Sequence, residues 1–270
     1  MTKFTIITVC YNATDVIEAT IKSVLSQTYT DYEYILVDGG STDGTLDIIQ
    51  KYAASDTRIR YVSEKDHGIY DAMNKGISMS NGQYLQMLNA GDRLHDTEVL
   101  RAVADKIEAG AKQNRRADIY YGNILYEYPD GTESVRVYSS FCGTQFYYLL
   151  GDCINHQSIF ARRSCFKQTG NFDLSYIYCA DRDWMIRQHK KGKKYSAMNI
   201  MTCRYSLDPN SASVKHEADV WDENKRMVKK YYPLGYPIYF LLDKIRHGKT
   251  SAKLLHKAYE IVFLRGKAKQ

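Results

Sequence analysis

With 270 residues, 44% of them apolar and 25% charged, the chain can build one sizeable core plus a small appendage, since domains hold roughly 100–200 residues. Four prolines, seventeen glycines and no long polar tract exclude collagenous, repeat and disordered architectures. The apolar run at 237–242 falls far short of the roughly 20 residues that span a bilayer. No basic, apolar and small-residue leader precedes Phe4, so a cytoplasmic chain is expected. Six dispersed cysteines without a Cys-x-x-Cys pair suit neither a zinc site nor a disulfide framework, and reduced thiols are expected. The net charge of +6 is uneven, because residues 221–270 carry twelve Lys/Arg against four Asp/Glu.

In chain order, Phe4 to Cys10, Glu33 to Asp38, Arg58 to Val62 and Gln83 to Leu88 are short apolar runs of the kind found in buried parallel strands. Val16, Ile17, Ile21, Val24 and Leu25 lie at helical spacing after Asn12, an expected N-cap, and Leu46, Ile49 and Ala53 follow Thr42-Asp43 in the same way. Ile69, Ala72, Met73, Gly76 and Ile77 make a third stripe. The β-α-β-α-β-α-β order predicts an α/β fold with a mostly parallel central sheet flanked by helices, with ligands at the carboxyl ends of its strands.

A helix is expected over Asp96 to Ala109. Strands are expected at Ile119 to Tyr128 and Glu133 to Tyr138, around a Pro-Asp-Gly turn. Ile154 to Phe160 and Lys194 to Cys203 read as further strands, with a helix near Asp181 to His189, so the second half should be mixed and antiparallel. Val220 to Tyr231 and Ser251 to Leu264 read as basic amphipathic helices. A domain of residues 1–210 and a basic, helical, aromatic-containing extension of residues 211–270 follow.

Polar clusters sit just past the predicted strands: Thr8-Val9-Cys10-Tyr11-Asn12, then Asp38-Gly39-Gly40-Ser41-Thr42-Asp43-Gly44-Thr45, then Asn89-Ala90-Gly91-Asp92. Strand-end carboxylates beside glycines can hold a ribose or base, and helix N-termini favour phosphate. Neither Gly-x-x-x-x-Gly-Lys-Ser/Thr nor Gly-x-Gly-x-x-Gly follows the first strand, which disfavours Walker ATPases and dinucleotide dehydrogenases.

Together with Asp66-His67-Gly68-Ile69-Tyr70-Asp71-Ala72-Met73-Asn74-Lys75-Gly76, these clusters resemble family 2 glycosyltransferases of the GT-A fold. The resemblance implies a nucleotide-sugar donor, a divalent metal (Mn²⁺ or Mg²⁺) and transfer with inversion at the anomeric carbon. It assigns Thr8, Tyr11, Asn12, Asp38, Asp66 and Asn89 to the donor, and Asp92 to the metal. Gly91 stands where many members carry a second acid, which leaves fewer protein ligands. Tyr178-Cys179-Ala180-Asp181-Arg182-Asp183-Trp184 resembles the family's acidic segment, with Ala180 in place of the first acid. Asp181 matches the catalytic base and Asp183 is the fallback. His156, in His156-Gln157-Ser158, resembles a position near the donor phosphates or the acceptor, and Asp183 shares that candidacy.

Each of these residues has a plainer reading. Asp38-Gly39-Gly40 alone is a strand-to-helix turn, Asp181 alone is a helix cap, and Arg182 and Arg187 read as a solvated helical face. Four motifs in register over about 90 residues outweigh the plain turn reading of Asp38-Gly39-Gly40, while the cap reading of Asp181 stays open and a solvated face is the expectation for Arg182 and Arg187. The expected activity is transfer from a nucleotide sugar, a UDP-sugar first, to a saccharide or a polyprenyl-linked saccharide acceptor in a bacterial cell-surface setting. No Gln-x-x-Arg-Trp motif of a processive polymerase is present. The rival readings are a silent carbohydrate-binding scaffold and a sugar nucleotidyltransferase, the second lacking a glycine-rich triphosphate loop. Basic and aromatic residues in the extension suggest contact with an anionic membrane surface at its inner face, while no nucleic-acid motif accompanies them.

Overall fold

The structure, a computed structural model, describes residues 2–138, 153–207 and 215–237. The expected Ser251 to Leu264 helix, one of the six cysteines, Cys142, and the boundary near residue 210 lie outside them. Strands β1 (Phe4–Cys10), β2 (Tyr32–Asp38), β3 (Ile59–Ser63) and β4 (Tyr84–Met87) form a parallel block in the order β3-β2-β1-β4. Every residue of β1 and β4 is buried, as the unalternating apolar runs require of strands covered on both faces. Register brings Cys10 opposite Asp38 and Asp38 opposite Ser63, so the strand ends are level at one edge.

Helices α1 (Thr14–Leu25), α2 (Thr45–Ser55) and α3 (Ile69–Met79) connect these strands. In α1 the buried residues Ile17, Thr20, Ile21 and Val24 repeat at helical spacing, each large apolar side chain contributing roughly 1.5–3 kcal/mol on burial. Asn12 is not the cap that the sequence suggests. Ala13 holds that position, while Asn12 takes a positive φ of 47°. Its side chain instead accepts the Thr42 N–H at 3.0 Å, and its own N–H donates to Ser41 Oγ at 2.8 Å, so Asn12 ties two loops together. Gly76 lets α3 lie close on the sheet, because a Cβ there would strike the Ile7 side chain.

The rest of the sheet is mixed, with β5 (Arg93–Leu94), β6 (Ile119–Glu127), β7 (Glu133–Arg136), β8 (Ile159–Arg162) and β9 (Tyr195–Ser206). β8 runs antiparallel to β4 and β6, whereas β9 runs parallel to β6. Helix α4 (Val99–Lys112) begins three residues after its expected start. The expected Ile154 to Phe160 strand divides: His156–Ser158 is a 3-10 turn and only then does β8 begin. The Asn155 carbonyl closes that turn by accepting both the Ser158 N–H (3.0 Å) and its hydroxyl (2.8 Å).

Three further helices are α5 (Arg163–Thr169), α6 (Ala180–Lys190) and α7 (Glu217–Tyr231). α6 is anchored by Trp184, which stacks on Phe166 with ring centroids 4.5 Å apart. Arg182 is not on a solvated face; it is 3% exposed and its guanidinium donates to Asn224 of α7. Cys10, Cys153, Cys165, Cys179 and Cys203 are free thiols. Among the described residues no helix is long and apolar enough to cross a membrane.

Candidate active site

Parallel strands end together, so the loops after β1, β2 and β3 share an edge. The buried Asp38 carboxylate accepts the Ser41 N–H (3.1 Å), the Ser41 hydroxyl and the Ser63 hydroxyl (2.6 Å). Tyr11 stands 66% exposed above this edge. A Cβ at Gly39 would lie 3.1 Å from Asp66 Oδ2 and 3.4 Å from the Tyr11 ring, so Tyr11, Gly39 and Asp66 converge. Asp66 is held at 2.6 Å by Lys75 of α3, which also pairs with Glu64 at 2.8 Å. These carboxylates push the Lys75 ammonium above its usual range. Thr8 belongs to a different layer. It is fully buried and its hydroxyl receives that of Tyr34 at 3.0 Å, so its position mid-strand makes it part of the core and not of the cleft.

The second cluster is built by α6, the 3-10 turn and the loop after β4. Asp181 Oδ1 accepts the Tyr70 hydroxyl (3.0 Å) and the Arg182 N–H (2.8 Å), and Oδ2 lies 3.0 Å from His156 Nδ1. Asn89 Nδ2 lies 3.1 Å from His156 Nε2. A carboxylate oxygen only accepts, so the contact at Nδ1 directs an imidazole proton to Asp181. An apolar hollow lined by Leu85, Met87, Phe166, Phe172 and Trp184 backs the pair. Burial acts to raise the Asp181 carboxyl, but His156, the Arg182 N–H and Tyr70 outweigh it and hold the group below its ordinary value. The carboxylate therefore stays ionised.

Asp183 does not join this cluster. Two residues along a helix is a rotation of about 200°, so its side chain points away from Asp181, is fully buried, and accepts Arg187 Nε (2.7 Å) and the Tyr231 hydroxyl (2.6 Å). Ala180, where the family pattern has an acid, is fully buried, and a carboxylate there would be desolvated without a partner.

Asp92 is 4% exposed. Its Oδ2 accepts Gln157 Nε2 at 3.0 Å and its Oδ1 accepts the Ser206 N–H at 3.2 Å. Burial raises its carboxyl to about 7. A divalent cation needs several open oxygen ligands, and among the described residues no group of three His, Cys, Asp or Glu side chains forms a metal site. Asp92 as arranged does not fit the metal role that the resemblance gives it; it clasps the Asn89–Asp92 loop to the 3-10 turn and to the end of β9. Gly91 has φ of 95°, a left-handed conformation that glycine adopts without strain.

A family model described as glycosyl transferase family 2 matches residues 5–171. The chain belongs to glycosyl transferase family 2. This family 2 glycosyltransferase is 35% identical over 185 residues, 68% of either chain, to a PGL/p-HBAD biosynthesis glycosyltransferase of Mycobacterium tuberculosis. It is 25% identical to glycosyltransferase AglE of Haloferax volcanii, covering 91% of this chain and 86% of that one. Among solved structures, S. aureus TarS 1-349 in complex with UDP-GlcNAc superposes with a TM-score of 0.63 at 14% identity, covering 96% of this chain and 75% of that chain. The full TarS chain is longer, and this chain spans 44% of it. Mannosyltransferase PcManGT from Pyrobaculum calidifontis, in complex with GDP-Man and Mn²⁺, gives 0.59 at 16% identity over 97% of this chain and 80% of that chain. These structures share the GT-A fold with this chain.

Reading residues singly missed three contributors. Tyr70 and Asn74 lie inside the Asp66–Gly76 motif at i, i+4, a spacing that already puts them on one helix face. Glu223 of α7 accepts the N–H groups of Ile177 (2.6 Å), Tyr178 (3.0 Å) and Cys179 (2.9 Å) just before α6. No local pattern announces that last contact, since it joins residues more than forty apart.

Proposed function

We propose that this glycosyltransferase moves a sugar from a nucleoside-diphosphate donor, a UDP-sugar first, to a hydroxyl of a saccharide or polyprenyl-linked saccharide, with inversion. The observation that carries the reading is the Asp181 carboxylate, oriented by Tyr70, His156 and its own helix. Its role is general base: as the acceptor oxygen bonds to the anomeric carbon, Asp181 takes the hydroxyl proton, and the bond to phosphate breaks with its electron pair leaving on the nucleoside diphosphate. On the donor side the exposed Tyr11 ring offers a face for the nucleobase, Asp66 and the Asn12 loop flank the nucleoside, and the buried Asp38 shapes that loop through Ser41 and Ser63. Asn89 and His156 face the sugar and phosphate side of Asp181.

TarS 1-349 is seen with UDP-GlcNAc and PcManGT with GDP-Man and Mn²⁺, which makes those two donors the first to try here. A bound divalent ion would screen diphosphate charge, and on this reading it takes its oxygens from the diphosphate and water, not from Asp92. The extension, residues 211–270, is proposed to meet anionic lipid at the inner membrane face, although Arg226 and Lys230 also serve inside the fold, over Tyr176 and beside Asp183.

The test is calorimetric titration with UDP, GDP, CMP and ADP, each with Mn²⁺, Mg²⁺ or EDTA, followed by nucleotide release from the matching sugar donor in wild type and Asp181→Asn. Binding of one diphosphate, with release abolished in the variant and donor affinity kept, is the expected result. Normal turnover in Asp181→Asn removes the base, and ligand binding without any turnover makes the chain a silent sugar-binding scaffold.

A further inference from the structure

Helix α3 grips both halves of the site. On one side Lys75 holds Asp66 and Glu64 of the donor-side loop. About 100–140° around the helix, Asn74 and Tyr70 hold the segment that leads into α6. Asn74 donates to the Phe172 carbonyl and accepts its N–H, both at 3.0 Å. Tyr70, 6% exposed, lies one turn earlier. Its hydroxyl reaches the Tyr178 carbonyl at 2.8 Å and Asp181 Oδ1 at 3.0 Å, while its ring packs on Phe172 with centroids 5.4 Å apart.

We infer that Tyr70 is a positioning residue for Asp181, orienting the base from the helix that also carries the donor-side loop. This rests on the reading of Asp181 as the base. A carboxylate on a short side chain rotates freely unless both oxygens are tied. Among the described residues Oδ1 faces two donors, Tyr70 and the Arg182 N–H, and Oδ2 faces one, His156. The uneven load leaves an open lone pair on Oδ2, the atom able to receive the acceptor's proton. The single hydroxyl proton is shared between the Tyr178 carbonyl and Oδ1, so Tyr70 sets the carboxylate's position relative to the backbone as well as its rotation. The titratable groups facing Asp181 are His156 from the 3-10 turn, Tyr70 from α3, Cys179 beside it and Tyr205 from β9.

The test uses the full chain and measures nucleoside diphosphate release from UDP-GlcNAc, UDP-glucose and GDP-mannose, to water and to added saccharide. Tyr70→Phe keeps the ring and removes one oxygen. The expected result is a kcat lower by about tenfold or more with donor KM within about twofold, and an acid limb of kcat moved to higher pH, since a donor that favours the ionised carboxylate is gone. Tyr32→Phe, which removes a buried hydroxyl bonded to the distant Val24 carbonyl, should leave kcat and its pH profile unchanged. Wild-type kcat and profile in Tyr70→Phe overturn the inference, and so does an equal loss in Tyr32→Phe, which would mean a general packing effect. Should Tyr70→Phe fail to fold, Tyr70→Leu also removes the donor, and a folded Tyr70→Leu with the wild-type pH profile and full kcat overturns the positioning role. Asp181→Asn separates the two readings. If it still turns over, the base assignment falls; if it is dead while Tyr70→Phe is unimpaired, only the positioning role falls. No release from any donor by the wild-type chain overturns both.

Discussion

Asp183→Ala tests whether the buried acid of α6 is architecture and not chemistry. Its carboxylate is fully buried and holds Arg187 Nε at 2.7 Å and the Tyr231 hydroxyl at 2.6 Å, with Lys230 at 3.6 Å. A charge-assisted bond contributes roughly 1.5–3 kcal/mol and a neutral one about 1 kcal/mol. Lys230 adds little, because it is half exposed and screened. Removing one partner of a buried pair costs about 3–5 kcal/mol. Arg187 would keep the carbonyls of Thr169, Gly170 and Asn171, which places the loss near the lower end, about 3 kcal/mol. With roughly 2–4 °C of melting temperature per kcal/mol in chains of this size, the variant should melt about 10 °C lower by scanning calorimetry. Nucleotide release and donor binding, measured well below that melting point, should stay within about twofold of wild type. A melting temperature unchanged from wild type would refute the assignment of Asp183 to the α6–α7 joint. Loss of turnover in a folded protein with intact donor binding would return Asp183 to the site.

Glu223→Ala should lower both stability and turnover, because three backbone N–H groups ahead of Asp181 lose their acceptor. The Ile177 N–H is exposed and can turn to water while the other two are part-buried, so the loss should fall near the lower end of roughly 1–3 kcal/mol per unpaired donor, and melting and kcat measured together will show whether α7 holds the base in place. For Asp181, whose native carboxyl lies below its unfolded value of about 3.9, the stability contribution is complete above that unfolded value and disappears as pH falls through the lower native one. Asp181→Asn should therefore show a smaller drop in melting temperature between about pH 5 and pH 3 than wild type, and an equal or larger drop would contradict the direction of the shift.

Local chemistry carried much of the fold. The β-α alternation, the parallel block from Phe4 to Met87 and the loops at its carboxyl edge follow from apolar runs and helical stripes that need no distant partner. The family resemblance pointed to Tyr11, Asp38 and Asp66 through motifs at those same strand ends, and to Asp181 through the acidic segment at residues 178–184. What tertiary structure decided were the contacts made across long stretches of chain. Thr8 and Asp183 carry the right atoms, but burial against Tyr34 and Tyr231 removes them from the cleft, and no spacing rule reports which face of an element a neighbour covers. Asp92 lies at the expected strand end, yet Gln157 and the Ser206 N–H, 65 and 114 residues away, turn it from an open ligand into a clasp. The Ile154 to Phe160 run looked extended because its apolar residues fit a strand, and the bonds to the Asn155 carbonyl instead curl it so that His156 meets Asp181. A sequence fixes which groups are available at each strand end; desolvation and partner geometry, which exist only once the chain has packed, decide which of them remain free to react.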